Sequence, residues 1–104
     1  LANIHILKDA LEANIPCQIL DEYNRIYLIN KEIVLEKDKV YGKYISLIPL
    51  TSTVEELTLT GFKYPLNHYT LTIGTSLGIS NEMIEDRAHV KMEKGILIVV
   101  ESKD

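Results

Sequence analysis

The chain has 104 residues with a formal net charge of −4; 46% of its residues are hydrophobic and 25% are charged. This length suits one domain with a modest core, and the lack of a Lys/Arg cluster argues against a nucleic-acid partner. No run approaches about 18 apolar residues, so the sequence predicts no membrane span and no membrane partner. The single cysteine, Cys17, excludes an internal disulfide and fits a cytoplasmic location.

The first segment has the spacing of an amphipathic helix. Its apolar stripe is formed by Leu1, Ile4, Leu7 and Leu11. Asn14 is a suitable C-terminal cap and Pro16 follows it, so we expect the helix to end near Ala13. Because the chain begins without Met and inside this pattern, we expect it to be one domain of a longer protein.

Short segments of strand character follow, separated by turn residues at intervals of about 8–12 residues. The predicted strands are residues 15–20, 25–29, 32–36, 44–50, 54–60, 68–73, 88–92 and 96–100. Cys17 is expected to be a small buried residue in the first of them. Residues 93–95 are predicted to form a hairpin turn, with Gly95 at positive φ. The unbroken apolar run 96–100 is predicted to be a central buried strand.

These elements predict an all-β fold, a β-sandwich or jelly roll of about eight short strands preceded by one N-terminal helix. Within it, residues 68–73 alternate in period two and should form a half-buried strand. They lead into residues 74–81, which contain two glycines, three hydroxyl residues and one asparagine. A rigid strand followed by a small polar loop is a common way to present a binding site.

Three ordered motifs carry a family resemblance: YISLIPL (44–50), LTLTGFKYPL (57–66) and GTSLGISNE (74–82). Together they resemble the C-terminal half of bacterial thiamine pyrophosphokinase, also called thiamine diphosphokinase. Residues 1–4 resemble the segment that joins the two domains of that family, and residues 93–104 resemble its usual C-terminus. The resemblance therefore extends over essentially the whole chain.

The resemblance implies a transferase that moves pyrophosphate from ATP to thiamine, with Mg²⁺, to give thiamine diphosphate. ATP and Mg²⁺ would be bound mainly by an N-terminal α/β domain absent from this chain. Residues 1–14 would be a linker helix from that domain, and residues 15–104 a thiamine-binding β domain. The enzymes of the family are homodimers whose active site lies between subunits. Because the catalytic half is absent from this chain, the chain alone is predicted to be inactive.

The resemblance also implies the substrate-binding residues. The Ser-Asn pair, Ser80 and Asn81, would line the thiamine pocket, and Tyr64 would stack on the ligand. The rest of the pocket would be formed by Ser76, Leu77, Gly78 and Ile79. The alternatives are that Ser80 and Asn81 only close the turn through hydrogen bonds to the main chain, and that Tyr64 is an ordinary core or interface residue.

Other chemistry finds little support in the sequence. No G-x-x-x-x-G-K-[ST] motif and no paired Asp residues occur, so we expect neither catalytic nor metal-binding residues in this chain. Gly74–Gly78 matches the G-x-S-x-G pattern of serine hydrolases, with Asp86 and His89 in triad order, but that elbow requires a helix after Ser76. The alternative function is a stand-alone β-sandwich that binds another small molecule or a protein partner.

Overall fold

The computed structural model describes residues 2–75 and 77–103. In this part of the chain one helix precedes nine strands, all short. They are α1 (Ala2–Glu12), β1 (Ile19–Leu20), β2 (Asn24–Ile29), β3 (Ile33–Glu36), β4 (Tyr44–Pro49), β5 (Thr53–Thr60), β6 (Leu66–Thr72), β7 (Asn81–Glu82), β8 (Arg87–Lys91) and β9 (Leu97–Ser102).

The strands form two antiparallel sheets. The first has the order β1-β2-β9-β4-β7 and the second has the order β3-β8-β5-β6. Strand β9 is the centre of the first sheet, where Val99 lies opposite Tyr27 on one side and Leu47 on the other. The predicted β-sandwich with a leading helix is confirmed, and so is the central position of the apolar run near the C-terminus.

The core lies between the sheets and consists of residues at alternating positions. Both sheets contribute side chains that are no more than 1% exposed: Ile45, Leu47, Leu97 and Val99 from the first, and Val54, Leu57, Leu59, Ala88 and Val90 from the second. Burying one Val, Leu or Ile side chain stabilises a fold by about 1.5–3 kcal/mol. This alternation explains why period-two patterning identified the strands.

Strand β5 departs from simple alternation. Val54 and Leu57 are three residues apart, yet both are fully buried. The register with β6 shifts between them, and Glu56 has a positive φ of 57°. This β-bulge turns Leu57 back towards the core. Opposite it, His68 also has positive φ (49°), and its Nδ1 lies 2.8 Å from a carboxylate oxygen of Glu56.

The first predicted strand is much shorter than expected. Only Ile19–Leu20 is paired, and Cys17 is exposed outside any strand. The prediction of a buried Cys17 is therefore wrong. Segment 15–18 contains Pro16, which has no N–H to donate to a ladder, and it lies at the outer edge of the first sheet.

The turn at residues 93–95 is not a hairpin, contrary to the prediction. Strand β8 belongs to the second sheet and β9 to the first, so the turn carries the chain from one sheet to the other. Glu55 donates its N–H to the Lys94 carbonyl (2.8 Å) and accepts one from Glu93 (3.0 Å). Gly95 has the expected positive φ, 111°.

Helix α1 ends as predicted. Asn14 has φ 56°, and it donates its N–H to the Leu11 carbonyl (3.1 Å) while Ile15 donates to Ala10 (2.8 Å). This pair of bonds is a Schellman cap. Leu7 is buried against the domain at 2% exposure, whereas Ile6 is 59% exposed. Within the described chain, no helix has the length and apolar character needed to cross a bilayer.

Candidate functional site

The loop between β6 and β7 crosses from the second sheet to the first. It follows an edge strand, β6, in which Leu71 is fully buried but Tyr69 is 40% exposed, and Ile73 just after the strand is 61% exposed. Residues 68–73 are therefore less buried than the predicted half-buried strand. Further along, the carbonyl of Gly78 accepts a hydrogen bond from the Leu47 N–H (2.8 Å). The loop is therefore attached to β4 before it enters β7.

Gly78 fits where no other residue would. A Cβ added there would lie 2.3 Å from the carbonyl oxygen of Leu47. Main chain thus contacts main chain, which only glycine permits. The family resemblance implied that Gly78 forms part of the pocket wall, and its close approach to β4 is a further reason for glycine at this position.

A second hydrogen bond between the loop and β4 is formed at Ser80, two residues after Gly78. The Ser80 N–H donates a hydrogen bond to Oγ of Ser46 on β4, at 2.9 Å. Ser80 itself has a positive φ of 56°, an uncommon conformation for a non-glycine residue. Its side chain is exposed. Sequence reasoning did not identify Ser46, because one serine among the outward positions of a strand carries no distinguishing signal.

Asn81 is buried, with 1% of its surface exposed. Its Oδ1 accepts hydrogen bonds from the N–H groups of Tyr64 and Glu82, both at 3.0 Å. Its Nδ2 donates to the carbonyl of Tyr64 at 2.8 Å. The side chain therefore ties the segment before β6 to the start of β7.

Main-chain bonds extend this connection. Lys63 donates its N–H to the Glu82 carbonyl (2.8 Å), and Ile84 donates to the Gly61 carbonyl (2.9 Å). Between them Phe62 pairs with Met83 and is 1% exposed. Segments 61–64 and 81–84 thus close one end of the sandwich, which brings Tyr64 to the same end as residues 77–81.

The residues left exposed at this end form what we call the loop face: Tyr64, Leu77, Ile79 and Ser80. Their apolar members are about half exposed: Tyr64 54%, Leu77 50% and Ile79 49%. Contiguous exposed apolar side chains mark binding surfaces, whereas isolated ones are normal on any protein, so the loop face is a candidate binding surface. The structure thus brings together all the predicted site residues except Ser76, which lies outside the described residues.

Charges border the loop face. The carboxylate of Glu82 lies 3.8 Å from the Lys43 ammonium and 3.9 Å from the Lys63 ammonium. The Lys63 ammonium is also 5.5 Å from the centre of the Tyr64 ring, within range of a cation–π contact. Glu82 is thus already paired with protein cations, and Tyr64 already has a cation beside it.

The serine hydrolase interpretation finds no support in the described residues. The chain after Ser76 continues as turns through residues 77–80 and then enters β7, so the required helix is absent there. His89 lies on β8 beside Thr58, Thr60 and Lys91, where it lines a shallow groove of about 270 Å³.

A cavity of about 600 Å³ lies elsewhere, between α1 and β2. Glu101, 2% exposed, is part of its lining. Its carboxylate accepts hydrogen bonds from the Tyr27 hydroxyl (2.6 Å) and the Tyr41 N–H (2.8 Å), and Arg25 lies 3.4 Å away. Burial, and then the bond to Glu101, raises the pKa of Tyr27 above its ordinary 10.0. Sequence reasoning missed Glu101, although it continues the inward-facing positions of β9.

The described residues include no group of three or more His, Cys, Asp or Glu side chains placed to hold a metal ion.

Comparison with known families decides the assignment. The family described as "Thiamin pyrophosphokinase, vitamin B1 binding domain" matches residues 30–97, which is more than half of the chain. The chain belongs to the thiamin pyrophosphokinase family. It corresponds to the vitamin B1 binding domain of that family, as the motifs at residues 44–50, 57–66 and 74–82 predicted.

Individual thiamin pyrophosphokinases resemble the whole of this chain in sequence and in structure. Thiamine pyrophosphokinase of Bacillus subtilis is 44% identical over 100% of this chain and 49% of its own length. The crystal structure of the Bacillus subtilis enzyme matches 99% of this chain and 48% of its own with a TM-score of 0.93 at 43% identity. The structure from Geobacillus thermodenitrificans matches 99% and 47% with a TM-score of 0.88 at 34% identity. The chain thus spans about half the length of these thiamin pyrophosphokinases.

Proposed function

We propose that this chain is the thiamine-binding part of a thiamine pyrophosphokinase, a cytoplasmic transferase that converts ATP and thiamine into AMP and thiamine diphosphate. The observation that carries the proposal is the 44% identity to thiamine pyrophosphokinase over the full chain. Because the chain spans 49% of that relative, ATP and Mg²⁺ would bind mainly to a separate α/β half. Residues 1–14 would link that half to residues 15–104.

The chemistry of the loop face suits thiamine. The vitamin has a flat aminopyrimidine and a cationic thiazolium ring, so a site needs apolar walls and a few fixed polar groups. Tyr64, Leu77 and Ile79 would supply the walls, together with the backbone of Gly78. The exposed Ser80 would supply a hydrogen bond through its hydroxyl, and the hydroxyl of Ser76 would supply another. The net charge of −4 also favours a cation.

The loop face is open rather than enclosed, because its apolar side chains are about half exposed. Bound ligands of this size are normally enclosed over most of their surface. We therefore propose that a second surface covers the ligand, supplied by the catalytic half of another subunit in a homodimer. In this arrangement the present chain contributes recognition and alignment, and it has no kinase activity by itself.

Complementation tests the proposal. This chain and the separately expressed N-terminal half of the same enzyme are assayed alone and mixed, with ATP, Mg²⁺ and thiamine. We expect ATP-dependent thiamine diphosphate only in the mixture, and less of it when Tyr64→Ala replaces the wild-type chain. Val34→Ala, an exposed apolar change on β3, is the matched control and should leave the yield unchanged. Thiamine diphosphate formed by this chain alone, or none in a folded mixture, would contradict the proposal.

The alternative, a stand-alone binding module, makes a different prediction about the gene. A coding sequence upstream of Leu1 that specifies an α/β domain with clustered Asp residues supports the kinase. An upstream sequence that encodes an unrelated domain supports the stand-alone module.

A further inference from the structure

Among the described residues of the Gly74–Glu82 motif, Asn81 is the polar one whose side chain is buried. It is 1% exposed, whereas Leu77, Ile79 and Ser80 on the same segment are exposed. Both lone pairs of its Oδ1 and one N–H of Nδ2 are engaged by main-chain groups of Tyr64 and Glu82. An amide buried in this way has little surface with which to touch a ligand.

We propose that Asn81 is a positioning residue for thiamine, which acts through Tyr64 instead of contacting the ligand. This inference rests on the proposed function. Asn81 holds both the N–H and the carbonyl of Tyr64, so it fixes the point from which the exposed Tyr64 ring extends. Holding a contact residue in its bound position before the ligand arrives raises affinity, because less freedom is lost on binding.

The other end of the segment is held independently. Ser46 fixes the Ser80 N–H, and the Leu47 N–H bonds to the Gly78 carbonyl. Changing Asn81 should therefore release Tyr64 while the exposed part of the loop, residues 77–80, keeps its attachment to β4. The proposed role of Asn81 is thus to hold Tyr64 in position relative to residues 77–80, which β4 holds independently.

The substitution Asn81→Asp distinguishes a positioning role from direct contact with the ligand. The two roles predict that thiamine binding changes in opposite directions as pH rises. When neutral, the aspartic acid can donate its O–H to the Tyr64 carbonyl, as Nδ2 does now. When ionised, it places a negative oxygen against that carbonyl and the restraint is lost. A carboxylate in direct contact with the cationic vitamin would instead attract it more strongly when ionised.

The experiment measures the thiamine KM of the complete enzyme between about pH 5 and pH 9, with each variant divided by wild type at the same pH. We expect the ratio for Asn81→Asp to rise with pH, to about tenfold or more, while kcat stays within about twofold. Asn30→Asp adds the same charge at an exposed position between β2 and β3 and should keep a constant ratio near one. A ratio for Asn81→Asp that is flat, or that falls as pH rises, overturns the inference.

A double-mutant cycle tests the route through Tyr64. If Asn81 acts by placing that ring, the effect of Asn81→Asp on KM largely disappears in a Tyr64→Ala background. If the KM change of the double variant instead equals the product of the KM changes of the two single variants, the inference is overturned. A merely structural role would lower stability without this coupling in KM.

Wild-type protein provides a measurement that does not depend on a variant folding. In complete enzyme labelled with ¹⁵N-asparagine, saturating thiamine should leave the hydrogen exchange of the Asn81 side-chain amide slow and unchanged. A changed exchange rate on binding overturns the inference. Failure of wild-type enzyme to bind thiamine at all would instead refute the proposed function, so the two failures are distinguishable.

Discussion

Single residues hold the loop face by contacts with main chain. Gly78 lies against β4 so closely that an added Cβ would be 2.3 Å from the Leu47 oxygen. Asn81 forms hydrogen bonds with both the N–H and the carbonyl of Tyr64. Sequence reasoning selected both residues for the site, but it could not identify these partners. The partners lie 31 and 17 positions away along the chain, beyond the range of local turn chemistry.

Gly78→Ala should displace the loop from β4. The new methyl group forces the two backbones apart, so we expect thiamine affinity to fall by about tenfold and the free energy of unfolding by about 1–3 kcal/mol. Gly95→Ala is the matched control, because its Cβ would meet the Thr53 oxygen at 2.6 Å in the turn between the sheets. It should destabilise the domain comparably and leave affinity unchanged. Equal affinity losses in the two variants would contradict this prediction.

Tyr27→Phe should show how the buried Glu101 cluster depends on pH. At neutral pH the variant loses a hydrogen bond to a buried carboxylate, which we expect to cost about 1.5–3 kcal/mol of unfolding free energy. In wild type the folded state raises the Tyr27 pKa above the ordinary 10.0. This stabilisation is therefore complete below pH 10 and is lost as pH rises above it, because the unfolded chain releases the proton more easily.

Urea unfolding between about pH 7 and pH 11 checks this prediction. The stability difference between wild type and Tyr27→Phe should narrow as pH rises above the ordinary tyrosine pKa of 10.0. Tyr23→Phe, at a residue 47% exposed, should match wild type throughout. A difference that stays constant through this range would show that the Tyr27 hydroxyl does not titrate with folding.

At the scale of elements, α1 has two different faces. Leu7 is 2% exposed against the β domain, while Ile6 beside it is 59% exposed. The apolar stripe at helical spacing correctly predicted the helix, but it did not predict that Leu7 is buried against the β domain of the same chain. The stripe did not account for the apolar Ile6, which lies outside it and is exposed to solvent. A pattern with one apolar stripe predicts one buried helix face and gives no information about a second contact surface.

Leu7→Ala should destabilise this chain by about 2–4 kcal/mol, because a cavity remains where the side chain packed. Ile6→Ala on the same helix should change stability by less than about 0.5 kcal/mol. Chemical denaturation of both variants makes the comparison. Equal effects would mean that α1 does not pack on the β domain through Leu7.

At the scale of the whole molecule, exposed apolar side chains occur on α1 (Ile6) and on the loop face (Tyr64, Leu77 and Ile79), as well as at scattered positions such as Val34 and Ile84. The related thiamin pyrophosphokinases are about twice as long as this chain, which covers 49% of the Bacillus subtilis protein. The proposed catalytic half would provide a partner for the exposed face of α1. That contact would be separate from the proposed substrate site at the loop face.

Ile6→Asp should therefore have different effects in two contexts. In this chain alone we expect a change below about 0.5 kcal/mol, because the residue is exposed. In the complete enzyme the same change would bury a charge and should lower the melting temperature by several degrees. Asn30→Asp puts the same charge at an exposed position outside α1 and serves as the control. No difference between the two contexts would place Ile6 outside the domain interface.

The sequence by itself determined the helix, most of the strands, the family and the position of the candidate loop. Period-two patterning reveals which side of a strand is buried, and Asn14 with Pro16 marks the end of α1 by local backbone chemistry. Only the tertiary structure decided which strands are neighbours, as at residues 93–95, where an apparent hairpin joins two sheets. It also decided the environments of Glu101 and Asn81. The physical reason is that burial patterns are local properties of a strand, whereas strand partners and buried hydrogen bonds are selected by packing between distant segments.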